Sequence, residues 1–338
     1  MRKKILFSVF LLIVIAVVYR LSVFTPELAS FSGPTMGTTY TVKFFTTKDV
    51  NNASDLKDEV DAALVRVNKL MSTYDPNSEL SKFNQLPEGQ SAMVSEDMAY
   101  VIDKALLISE MSDGEYDVTI GPLVNLWGFG PGKREDKVPS QAMIDEAKLR
   151  VGYLHLKLDG RRLTKEKDIY VDLSSIAKGY GVDVVAQVLQ DRGIESYLVE
   201  VGGEIASKGL KQDGGAPWRI AIESPAGGHD IAERIIPVTD VAVATSGDYR
   251  NYFEKNGVRY SHTINPVTGR PITHKLVSVT VVDKTTTMAD GLATAITVLG
   301  PDKGFEFAQK NGIAAYLLVK TDFGFEEHPS DAFKAYLK

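Results

Sequence analysis

The sequence predicts an α+β fold, with a mixed, largely antiparallel sheet core and packed helices. Strand-like and helix-like segments are interspersed without the regular βαβ rhythm of a doubly wound sheet. The apolar spacing switches repeatedly between alternation and the 3.6-residue helical period. The chain has 338 residues, 44% hydrophobic and 24% charged, which is enough apolar material for a core that needs no covalent staples.

Taken in order, Thr39 to Phe45 alternates like a strand. Leu56, Val60, Leu64, Val67 and Leu70 then recur at helical spacing. Ser95 is a natural N-cap for a second helix with Met98, Val101, Ile102, Ala105 and Ile108 on its apolar face. From Tyr116 to Gly132 a mixture of Gly, Pro and aromatic residues predicts a structured loop. A helix is expected over Gln141 to Val151, and strands over Leu154–Asp159 and Asp168–Leu173. The next helix starts near Ser174 or Ser175 and stops at Arg192-Gly193. Strands follow at Ser196–Val201, Trp218–Glu223, Ile235–Thr245, Arg259–Ile264 and Val277–Asp283. A helix from Met288 to Leu299 ends at Gly300-Pro301, and Ala314–Lys320 is the closing strand.

The first residues carry a different signal. Met1-Arg2-Lys3-Lys4 is a positive cap on an apolar run from Ile5 to Val18, which continues less purely to Phe24. Such a stretch is expected to be a signal peptide or a membrane anchor over residues 1–24, with the positive end kept in the cytoplasm and the remainder exported. Glu27-Leu28-Ala29 puts a charge where a cleavage site needs a small residue, which favours an uncleaved anchor. Residues 25–32 read as a spacer and 33–338 as the working domain. The formal net charge is −6, so there is no basic field for nucleic acid. With no cysteine, disulfides, a thiolate nucleophile, a Cys-ligated zinc and a lipidated N-terminal cysteine are excluded.

Four segments carry candidate chemistry. Asp290 and Thr294, one turn apart, put a carboxylate and a hydroxyl on one helical face, a pair that suits a hard cation such as Mg²⁺ or serves merely as a helix cap. Asp172-Leu173-Ser174-Ser175-Ile176-Ala177-Lys178-Gly179-Tyr180-Gly181 joins a strand to a helix N-terminus. Its free N–H groups and Lys178 fit a phosphate, while its glycines fit either a ligand or tight helix-on-sheet packing with a solvated lysine. Glu200-Val201-Gly202-Gly203-Glu204 is a strand ending in two glycines, a turn or a ligand edge. Polar groups crowd Ala244 to Tyr249 and Tyr260 to Gly269, where His262 is a candidate proton acceptor or a structural histidine. No nucleophile elbow, zinc-protease helix, P-loop or Rossmann glycine fingerprint is present.

In this order along the chain, Thr35-Met36-Gly37-Thr38, Met71-Ser72-Thr73-Tyr74, Asp117 to Val124, Asp172 to Gly181, Val201 to Glu204, Thr245 to Tyr249, Ser261 to Pro266 and Ala289-Asp290 together resemble the ApbE family of FAD:protein FMN transferases. The resemblance implies that Met36, Tyr74, the Glu115-Tyr116-Asp117 turn, Asp172, Lys178 and Ile264 contact the flavin nucleotide. It implies a Mg²⁺ held by Asp290, Thr294 and the main-chain oxygen of Ser175; for catalysis the candidates are His262 as proton acceptor and Asp290 through the metal. FAD would be the substrate. The acceptor would be a Ser or Thr of exported subunits of flavin-dependent redox complexes, in a short motif ending near an Ala-Thr pair. The setting would be the periplasmic face of the bacterial inner membrane. The same residues also suit an FAD pyrophosphatase or a flavin-binding protein without catalysis.

Overall fold

In the computed structural model, residues 24–337 are described apart from 51–52, 133–137, 212–213, 224–231, 248–251 and 256. The expected anchor therefore lies outside the described residues save for Phe24, as do Asp248 and Tyr249. Among the described residues no helix is long and apolar enough to cross a membrane.

Eight strands form the central sheet: β1 (Leu28–Thr35), β2 (Thr38–Phe45), β3 (Tyr197–Val201), β4 (Glu204–Lys208), β5 (Ala242–Gly247), β6 (Leu276–Asp283), β7 (Ala314–Thr321) and β8 (Gly324–Pro329). Their order across the sheet is their order along the chain, and every neighbouring pair is antiparallel. The mixed character expected of the sheet reduces to one isolated parallel bridge outside it, between Ile120 and Tyr170. The segment read as a spacer is, from Leu28 onward, edge strand β1. Among the described residues eight helices lie in the connections: α1 (Ala53–Met71), α2 (Glu79–Asn84), α3 (Glu96–Met111), α4 (Gly121–Leu126), α5 (Gln141–Lys148), α6 (Ala177–Asp191), α7 (Thr286–Leu299) and α8 (Pro301–Lys310).

Strand alternation sends consecutive side chains to opposite faces. Ala244, Val281 and Leu317 join the core under the helices, where Ile176, Ala289, Leu292 and Ala293 also sit. Their neighbours Val243, Val282 and Leu318 face the other way, onto Trp218, Ile220, Ile236 and Phe333. That second layer is a hairpin of Trp218–Glu223 with Ala232–Val238. The single strand expected from Ile235 to Thr245 is thus two, broken at Asp240, which has φ +53°. β-branched residues on both sides of the turn mask it in the sequence.

Four further expectations shift. Gly300 ends α7 as expected, but Pro301 opens α8, because Pro at the first helical position forfeits no hydrogen bond. The helix expected from Ser174 or Ser175 begins at Ala177, and β8 follows the strand expected to close the core. Asp168–Leu173 forms no ladder beyond the bridge at Tyr170. Side chains and loops satisfy its backbone instead. The Asn84 amide donates to Val171 O at 2.8 Å and accepts from Val171 N at 2.8 Å, and Asp172 N donates to Val118 O at 2.7 Å.

Asn84 is buried, so its loss orphans two backbone groups of Val171. Asn84→Ala is expected to destabilise the fold by about 2–4 kcal/mol, read from urea denaturation. A loss below about 0.5 kcal/mol would show that water replaces the amide.

Candidate active site

The site grows from the meeting of two helix N-termini. Ile176, at the N-cap of α6, offers no side-chain cap, so the first N–H groups of that helix need partners. Asp290 of α7 supplies one: Gly179 N donates to Asp290 Oδ2 at 2.9 Å. The approach leaves no room for a side chain. A Cβ on Gly179 would stand 2.3 Å from Thr286 O and 2.8 Å from Asp290 Cβ. Gly179 serves close packing, but against helix α7 rather than against the sheet as expected, and its product is the position of Asp290.

Lys178 points between two carboxylates. Its Nζ lies 2.7 Å from Glu204 Oε1 and 3.6 Å from Asp290 Oδ1. Glu204 opens β4 directly after Gly202 and Gly203, whose φ values of +62° and +108° make the tight turn out of β3. Both carboxylates are buried, and Glu204 Oε2 has no hydrogen-bond partner. One ammonium thus balances two acids. Burial pushes the Glu204 carboxyl up to about 8 against the opposing charge of Lys178. Burial likewise raises Asp290, against Lys178 and the Gly179 N–H. Burial alone would lower Lys178, but the charges of Asp290 and Glu204 hold it above the usual lysine range.

These groups open into a cleft of about 670 Å³ lined by Tyr74, Glu115, Tyr116, Asp117, Asp172, Ser175, Lys178, His262, Ile264, Asp290 and Thr294. Segments distant in sequence are tied together around it. Asp117 accepts from Thr119 N, Thr119 Oγ1 and Tyr153 N at 2.7–2.8 Å, which fixes the loop. Burial raises its carboxyl above the ordinary range. Asp172 accepts from Ser174 N at 2.8 Å and starts the turn into α6. Tyr116 Oη and Ser175 Oγ share a hydrogen bond of 2.9 Å. Asn265 donates to Glu115 Oε2 at 2.8 Å and joins the two walls. The His262 wall is held by a small core of its own, with Leu123, Trp127, Ile144, Phe253 and Ile264 buried together and Trp127 Nε1 donating to Gly269 O at 2.9 Å. The ring of Phe129 meets His262 edge-on at 6.4 Å. Tyr74 stands at the rim, two-thirds exposed, with its hydroxyl 3.3 Å from Phe129 O.

Of the residues expected from the resemblance, Met36 alone is not on the cleft wall. It has φ +47°, and its side chain packs at Gly181 on α6. Sequence reading gave Glu204 no role. The available signal was an acid at an inward-facing strand position, on the same side as buried Ala206. The wall also takes in Thr38, Glu200 and Thr245.

A family model, that of the ApbE family, matches residues 36–317. The chain belongs to the ApbE family. An FAD:protein FMN transferase of Vibrio cholerae is 50% identical over 312 residues, spanning 92% of this chain and 93% of its own. One from Haemophilus influenzae is 46% identical over 319 residues, spanning 91% of each. Among solved structures, the flavin transferase ApbE of Vibrio cholerae matches with a TM-score of 0.86 at 48% identity, covering 93% of this chain and all of its own. The flavinyl transferase ApbE of Pseudomonas stutzeri matches with 0.86 at 44% identity, covering 94% and 98%. The α+β architecture with its large antiparallel sheet is therefore that of ApbE structures, and the cleft lies within the matched ApbE region.

Replacing Lys178 removes the only cation set against Glu204 and Asp290 in this cluster of described residues. Lys178→Met is expected to lose about 2–4 kcal/mol of stability by denaturation, less than a wholly buried pair because the ammonium reaches solvent. A variant as stable as the parent would mean that the carboxylates do not depend on that charge.

Proposed function

We propose that the chain is a Mg²⁺-dependent FAD:protein FMN transferase that attaches FMN through a phosphoester to a Ser or Thr of an exported protein and releases AMP. The observation that carries this reading is the cluster of Lys178, Glu204 and Asp290 at the base of a cleft in an ApbE-family chain. The relatives in Vibrio cholerae and Haemophilus influenzae, FAD:protein FMN transferases, supply the reaction.

The donor set fits Mg²⁺. Two buried carboxyls share one ammonium, and one oxygen of Glu204 is without a partner, so the cluster offers acidic oxygens that a cation can take up as a proton leaves. Asp290 and Thr294 offer hard oxygens, with the main chain of Ser175 on the same wall. Among the described residues no three His, Asp or Glu side chains gather as a metal cage. A site of few protein ligands is the kind Mg²⁺ takes, since it keeps water and phosphate oxygens in the remaining positions. When bound, Mg²⁺ supplies charge neutralisation for the pyrophosphate of FAD.

The residues of the chain do the rest. Asp290, Thr294 and Ser175 hold the ion, and Lys178 brings a fixed positive charge to the phosphate oxygens. Tyr74, Glu115, Tyr116, Asp117, Asp172 and Ile264 shape the wall against the flavin nucleotide. The acceptor hydroxyl forms a bond to the FMN phosphorus, the bond from that phosphorus to the AMP oxygen breaks, and the hydroxyl proton passes to His262. Phosphoryl transfer of this kind asks mainly for position and charge, which a cleft braced on three sides supplies. The apolar segment to Phe24 directs the catalytic domain to the periplasmic side of the inner membrane, where it stays anchored or is released by cleavage.

The test incubates the full chain with FAD, Mg²⁺ and a candidate acceptor, then weighs the acceptor. A gain of one FMN that EDTA removes is the expected result. FMN and AMP free in solution would replace transfer by FAD hydrolysis, and intact bound FAD would replace it by flavin binding. Asp290→Ala is expected to lower transfer at least about 100-fold at saturating FAD. His262→Ala should lower kcat about 100- to 10,000-fold with FAD binding retained. Full turnover in either variant would remove that residue from the mechanism.

A further inference from the structure

Behind the cleft, α6 and α7 cap each other. Gly179 of α6 donates its N–H to Asp290 of α7. One turn further along α6, Asp183 returns the contact. Its Oδ1 accepts from Thr286 N at 2.8 Å, and its Oδ2 accepts from Thr287 N at 2.8 Å and Thr287 Oγ1 at 2.5 Å. Gly179 and Asp183 lie four residues apart on one face of α6, as Thr286 and Asp290 do on α7. The four positions make a clamp about one turn long. Thr286 is held twice within it, because its N–H is bonded to Asp183 and its carbonyl is pressed where a Cβ of Gly179 would stand.

Asp183 does not line the active cleft. It borders a separate cavity on the far side of the helix pair, with Tyr100, Thr285 and Lys284. It therefore has no route to substrate. Its three bonds instead fix the first turn of α7, and Asp290 sits one turn further on.

We propose that Asp183 is a positioning residue for Asp290: by anchoring the N-terminus of α7 on α6, it sets where the Asp290 carboxylate meets the Gly179 N–H and presents itself to a divalent cation. The inference rests on the reading of Asp290 as a metal ligand. Partners of this kind orient a ligating carboxylate without touching the ion, and their loss typically weakens metal affinity about 10- to 100-fold.

The test compares the full chain with Asp183→Ala, Asp183→Asn and Thr287→Val. Uptake of Mn²⁺, a spectroscopic stand-in for Mg²⁺, is followed by electron paramagnetic resonance of the free ion. FAD binding without metal is followed by flavin fluorescence, and thermal unfolding is recorded beside both. Asp183→Ala is expected to weaken Mn²⁺ binding about tenfold, and Asp183→Asn and Thr287→Val by smaller factors, while metal-free FAD binding stays within about twofold. A lowered Tm with Mn²⁺ affinity unchanged would overturn the proposal and leave Asp183 a helix cap alone. If Asp183→Ala is insoluble, the other two variants decide by the same criterion. A parent chain that takes up no Mn²⁺ would overturn the metal reading itself, and this is visible before any variant is measured.

Discussion

The contact on which the structure depends is the crossing of α6 and α7 at their N-terminal turns. Helix N-termini carry unsatisfied donors and a partial positive charge, so two of them brought together repel unless acids intervene. Here each helix supplies the acid for the other, Asp290 to α6 and Asp183 to α7. The arrangement requires the backbones to approach closely, which Gly179 permits. It also places a carboxylate with a helix dipole behind it at the floor of a cleft.

The electrostatics of the site follow from that placement. Burial opposes the charged forms of both Asp290 and Glu204, and Lys178 is the group that keeps them ionisable. A buried ion set of this kind contributes little to stability relative to an apolar core. Its value lies in acidic oxygens held at the cleft floor, which a cation can take up as a proton leaves and then share with a polyphosphate.

The scaffold builds the site from the sheet's own strand-end residues, Thr38, Glu200, Glu204 and Thr245, and from its long connections. An antiparallel meander covered on both faces leaves its long connections free to build walls. The connection from β2 to β3 contributes Tyr74 and the segments from Glu115 to Lys178, and that from β5 to β6 contributes His262 and Ile264. Loop walls must satisfy their own backbone groups, and they do so through Asn84, Asp117 and Asp172. Those polar residues are consequently as structural as the apolar core.

Sequence alone determined the α+β class, the helix faces, most strand positions and the ordered set of motifs that marks the family. These are local or linear properties, set by periodicity and residue type. It also placed Asp290 and Thr294 on one helical face, since four-residue spacing fixes that without tertiary help. Only the tertiary structure decided that Gly179 serves helix contact, that Glu204 faces Lys178, that Asp183 caps α7 and that Met36 packs on Gly181 off the cleft wall. Each depends on which face of one segment meets which face of another, more than twenty residues away in every case and more than a hundred in three of the four. The segment from Asp168 to Leu173 shows the reason most directly. Its apolar run suits a strand, yet its hydrogen bonds go to the side chain of Asn84 and to a loop, and a chain's own sequence pattern does not name such partners.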